Sequence, residues 1–117
     1  MGSYKDMIIY KKAFGLAMDI FEISKRFPKE ETYSLTDQIR RSSRSVCTNF
    51  AEAYRRRKYI AHFVSKLTDS DSENSETEVW VDFAFACTYI SAEEHLSLST
   101  KNAEVGKILL GSNDSAS

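Results

Sequence analysis

Between Pro28 and Gly106 the chain carries neither proline nor glycine, and its 117 residues contain only one proline and four glycines (Gly2, Gly15, Gly106 and Gly111). An all-β fold needs turn residues roughly every 8–12 positions, and this chain cannot supply them. Long helices remain, so the expected class is all-α. The length supports one domain, which would bury about two-thirds of the surface its unfolded form exposes. A single domain is expected over residues 1–111, with a frayed polar tail over 112–117.

With 42% hydrophobic and 28% charged residues the chain reads as an ordinary globular protein, and its formal net charge of −1 steers it globally towards neither nucleic acid nor membrane. Any charge argument must therefore be local. No stretch of apolar residues is long enough to span a bilayer, and the start of the chain lacks the basic-then-apolar order of a signal peptide, so a cytoplasmic protein with no membrane partner is expected. Cys47 and Cys87 both fall in helical patterns and outside any C-x-x-C motif, which predicts two buried free thiols.

Four helical segments follow from the periodicity. In the first, Ile9, Ala13, Leu16, Ile20, Ile23 and Phe27 form one stripe, and Met7, Tyr10, Phe14, Ala17 and Phe21 form a second beside it. So wide an apolar face predicts burial on two sides, by several helices or by another subunit. Pro28 then stops the helix. The second segment, within residues 33–58, starts at an expected N-cap Ser34 with Asp37 in a weak capping box. Its seam is Leu35, Ile39, Val46 and Phe50, with Ser42, Ser43 and Ala53 as small residues that let a neighbouring helix come close.

The third segment, Tyr59 to Tyr89, is apolar at its ends, but its centre from Thr68 to Glu78 has the composition of an acidic linker. The opening Asp69, Asp71 and Glu73 of a calcium loop is not completed, since Asn74 stands where glycine is needed and Trp80 where a bidentate glutamate belongs. Without glycine or proline the stretch is read as a continuous helix, with Ser70, Asn74 and Thr77 facing small seam residues of the second helix. Thr88 to Ile90 makes a short connection. Ser91 and Glu94 form a capping box for the last helix, whose expected seam is Leu96, Ala103 and Leu110, with Leu98, Val105 and Leu109 beside it and Gly111 at the C′ position.

Catalysis is not expected. His62 and His95 are the only histidines, neither stands in a metal-ligand spacing, and there is no glycine-rich phosphate loop or nucleophile elbow. No catalytic residue, cofactor, metal ligand or small-molecule substrate is assigned.

The strings Phe27-Pro28, Tyr33-x-Leu35-Thr36-x-Gln38-Ile39-Arg40-Arg41-Ser42, Ser45-Val46, Asn49-x-Ala51-Glu52, Glu76-x-Glu78 and Tyr89 together resemble the family encoded in the intervening sequences of bacterial 23S ribosomal RNA genes. That resemblance covers most of the chain. It implies an antiparallel up-and-down four-helix bundle that assembles into a cyclic homopentamer, with no assigned molecular function. Accessory proteins of diversity-generating retroelements, which bind nucleic acid and a reverse transcriptase, are similar to the family, so nucleic acid or a nucleic-acid enzyme is an implied partner. Three positions depart from the pattern: Ser34, Ala53 and Thr88 stand where the family carries glycine. Each loses a residue that tolerates positive φ, so helix ends are expected to run on or turn differently.

Charge is lopsided. Residues 40–66 hold eight basic residues and one acid, Glu52, whereas residues 69–94 hold eight acids and no lysine or arginine. Arg40, Arg41 and Arg44 are read as structural partners of Glu73, Glu76 and Glu78 on a neighbouring helix or subunit. Arg55, Arg56, Arg57 and Lys58, near a helix end, are read as a solvated or phosphate-facing cluster and the candidate nucleic-acid site. The alternative is an assembly scaffold in which every charge is structural.

Overall fold

A computed structural model describes the backbone of residues 2–116 and side chains as far as Gly111. Four helices, α1 (Ile8–Ser24), α2 (Leu35–Arg55), α3 (Ile60–Ala86) and α4 (Ala92–Ala116), enclose one core, with short 3₁₀ turns at Tyr4–Asp6 and Lys29–Glu31 and no strand among the described residues. None of these helices is long and apolar enough to cross a membrane. Lys12 and Lys101 of α1 and α4 pair with Glu104 and Asp19, and Arg41 and Glu52 of α2 pair with Glu73 and Lys66 of α3. In both sets, positions rising along one helix meet positions falling along the other, so these neighbours run antiparallel.

The α2 seam is fully enclosed: Leu35, Ile39, Ser42, Ser43, Val46, Phe50 and Ala53 are all buried. The small residues act as expected. The hydroxyls of Ser42 and Thr77 lie 2.9 Å apart, and Ser70 donates to the Val46 carbonyl at 2.8 Å, so α3 is drawn close to α2. The acidic stretch is helical because the buried residues of α3 are Leu67, Ser70, Asn74, Thr77, Val81 and Ala84. That alternation of three and four is a coiled-coil seam whose middle positions happen to be polar. Asn74 departs from expectation by facing α4, where its Nδ2 donates to Asn102 Oδ1 at 2.8 Å.

Several expectations are corrected. Ser34 is the N-cap residue of α2 but makes no capping hydrogen bond. Its hydroxyl donates to Glu31 Oε1, which also accepts the Leu35 N–H at 3.3 Å, because a carboxylate is the stronger acceptor at the positive end of a helix. The seam of α4 is Leu98, Asn102, Val105 and Leu109, all buried, while Leu96 and Leu110 are 67% and 58% exposed. The Asn74–Asn102 pair allows an asparagine into the seam and so rotates α4 away from the purely apolar stripe. Gly111 lies inside α4, not at C′. The side chains of the tail 112–117 lie outside the described residues. Met7, just before α1, and Ile8, Phe14 and Met18 on it stay exposed, so the second stripe is covered only in part within this chain.

Only one of the two thiols is buried: Cys47 is enclosed, whereas Cys87 is exposed because it caps α3 at the end of the bundle. Burial raises the Cys47 thiol to about 11. The native protein is therefore expected to react with a thiol reagent at Cys87 alone, with Cys47 joining only on unfolding. Thiol counts with and without denaturant check this.

Ala53 lies inside α2, and Thr88 still forms a left-handed turn. Thr88 adopts φ 65°, its N–H donates to Phe85 O, and the Tyr89 N–H donates to Ala84 O, which is a complete Schellman motif with a β-branched residue in the glycine position. Tyr89 then packs on Phe27 and donates to Glu31 Oε2 at 2.8 Å, tying the α3–α4 turn to the α1–α2 turn. A left-handed β-branched residue costs about 1–2 kcal/mol. Thr88→Gly is expected to raise stability by about 1 kcal/mol after the added freedom of the unfolded chain is subtracted, an outcome thermal unfolding would reveal.

Candidate nucleic-acid interface

The buried seam of α2 finishes at Ala53, the helix itself ends at Arg55, and residues Arg56–Lys58 turn the chain into α3. Cations suit this position because the unpaired carbonyls of a helix C-terminus carry partial negative charge. Arg55, Arg56, Arg57 and Lys58 are all exposed. Arg57 folds back: its Nη1 donates to Tyr54 O at 2.8 Å and its guanidinium lies 4.1 Å from the Tyr54 ring centroid. Arg55, Arg56 and Lys58 have no ion pair among the described residues. Arg55 and Arg56 line a surface groove of about 470 Å³ with Glu52, His62 and Lys66. Lys66 is held by Glu52 at 2.8 Å, and that hydrogen bond raises its pKa. The Tyr54 hydroxyl reaches Gly2 O, so the start of the chain lies at this same end.

The mid-helix arginines have a different setting. Arg41 bridges Glu73, at 2.8 Å, and Glu76, and also donates to Gln38. Arg40 donates to Ser24 Oγ at 2.7 Å, and its guanidinium lies 4.8 Å from the Phe21 ring centroid, with that of Arg44 at 5.7 Å. Neither Arg40 nor Arg44 has a carboxylate partner among the described residues. All three arginines line an open groove of about 580 Å³ along the outer face of α2. Among the described residues Glu78 meets no arginine: it accepts from Ser99 at 2.9 Å and from Asn102 at 3.4 Å. The arginines grouped by sequence thus separate into one ion-paired residue and two that stack on an aromatic ring.

A model of the 23S rRNA-intervening sequence proteins matches residues 5–111. The chain belongs to this family. A solved structure of a protein of unknown function from the S23 ribosomal protein family, from Bacteroides thetaiotaomicron, is similar at 28% identity and a TM-score of 0.84, covering 94% of this chain and 98% of that one. No curated protein matches. The family and the solved relative carry no established activity, so a site must be argued from its chemistry.

One cluster matches no complete metal-ligand motif in the sequence. His95 Nε2 lies 2.9 Å from Asp82 Oδ1, the imidazole stacks on Phe85 with centroids 4.4 Å apart, and Glu78 stands one turn before Asp82. The available signal was the i, i+4 carboxylate pair of α3, with a histidine just beyond a short antiparallel turn. His62, by contrast, meets the ring of Tyr59 edge-on.

Proposed function

We propose that this family member is a non-enzymatic helical bundle that assembles into a homopentamer and holds the phosphate backbone of RNA or DNA against the end carrying Arg55, Arg56, Arg57 and Lys58. The observation that supports this is the run of four consecutive exposed cations, three of them without an ion pair among the described residues. A ring repeats the cluster once per subunit, so modest single-site attraction adds up through effective concentration. Binding of this kind follows the backbone and releases counterions, with no reading of base edges. The second reading, a scaffold whose charges serve only assembly, is favoured by the Arg41 bridge to Glu73 and Glu76.

The test pairs light scattering with retention of RNA on a filter at low salt. A pentamer mass together with loss of retention when the four cations become glutamine is the expected result. A monomer mass removes the ring. Unchanged retention in the glutamine variant leaves the scaffold reading.

A further inference from the structure

We infer that Glu78, Asp82 and His95 form a divalent-metal site of the zinc class that clamps the end of α3 to the start of α4. The observation is their convergence: one ligating atom from each residue lies within 4.8 Å of the other two, and none is adjacent in sequence. Two carboxylate oxygens and one imidazole nitrogen form a borderline donor set, suited to Zn²⁺ or its neighbours more than to Ca²⁺ or Mg²⁺. Bonds of about 2.1 Å in a tetrahedral arrangement place ligand atoms roughly 3.4 Å apart. His95 and Asp82 are already closer than that, and Asp82, with a side chain 60% exposed, can change rotamer without disturbing the core.

The surroundings match what a metal site requires of its supporting residues. Ser99 Oγ donates to Glu78 Oε2 at 2.9 Å and Asn102 Nδ2 approaches Glu78 Oε1 at 3.4 Å, which fixes one carboxylate. Phe85 lies against the imidazole and fixes its plane. From Thr68 to Thr100 the chain contains no lysine or arginine, and the neighbouring Glu94 is occupied by Arg26, just beyond the end of α1. With neutral imidazole the three ligands therefore carry two negative charges that no side chain of α3 or of the first turns of α4 neutralises. A divalent cation supplies that charge.

The experiment uses the full chain, stripped with a chelator and titrated with Zn²⁺ by calorimetry, with Co²⁺ as a spectroscopic substitute and melting temperature as an independent readout. Saturable binding of one ion per chain, a rise in melting temperature and Co²⁺ absorption bands of a low-coordinate site are expected. His95→Gln and Asp82→Asn should each weaken binding by about 100-fold or more, and Ser99→Ala, which only orients Glu78, by about 10-fold. His62→Gln and Cys87→Ser should leave binding unchanged, since neither residue belongs to the cluster. The metal-free melting temperatures of all variants control for folding. Absence of saturable binding to the wild-type chain, or equal binding by His95→Gln, overturns the proposal.

Discussion

Replacing Arg55, Arg56, Arg57 and Lys58 together by glutamine is expected to weaken RNA binding on the order of 10³-fold at 0.1 M salt and to flatten its salt dependence. Each phosphate neutralised contributes about 0.7 to 0.9 to the slope of log affinity against log salt, so four lost contacts lower that slope by about 3. The four positions are not equivalent. Arg57 is engaged with the ring and carbonyl of Tyr54, so Arg57→Gln alone should lose less than Arg55→Gln or Arg56→Gln. Stability serves as the control. These side chains are exposed and lie at a helix C-terminus, so removing their charge costs only about 0.3–1 kcal/mol of helix–dipole interaction per site. Arg41→Gln should behave in the opposite way, loosening α2 from α3 while leaving RNA retention intact. A salt slope that does not change in the quadruple variant would sink the proposed interface.

What could be read from the sequence, and what could not, follows from which interactions are local. The α2 seam from Leu35 to Ala53 was legible because its buried positions are apolar or small at helical spacing, and all of them are buried. The capping box of Ser91 and Glu94 was legible because both partners lie within one turn. The α4 seam was misread because Asn102 enters the core only with a partner on another helix, and periodicity counts an asparagine as polar wherever it lies. Ser34 lost its capping role to Glu31, a residue from the preceding turn that no helix-start pattern includes. Thr88 takes a left-handed position that glycine usually fills, so residue type alone does not announce the turn. As for the candidate sites, exposure of Arg55 to Lys58 at a helix end was readable. The convergence of Glu78, Asp82 and His95 depends on the register of α3 against α4 and was not.

That register rests on Asn74 and Asn102. Both are buried; Asn74 Nδ2 donates to Asn102 Oδ1, and Asn102 Nδ2 donates back to Asn74 O at 2.9 Å. Asn102→Ala leaves a buried amide without its acceptor and opens a small cavity, so a loss of about 3 kcal/mol, or roughly a 10 °C drop in melting temperature, is expected. Asn74→Ala should cost a similar amount, but the double variant should cost clearly less than the sum, because the penalty for an abandoned partner disappears when both are gone. Gly106 supplies an independent check. A Cβ there would lie 2.9 Å from Asn74 Oδ1, whereas one at Gly15 would meet nothing within 4 Å. Gly15→Ala should therefore gain the usual helix-propensity increment of about 1 kcal/mol, while Gly106→Ala should lose stability because Asn74 cannot turn away without breaking its bond to Asn102. In the Asn74→Ala background the obstruction is absent, and the same Gly106→Ala change should become stabilising. If the two substitutions instead prove additive by chemical denaturation, the asparagine pair is not the fixed point that aligns α3 with α4.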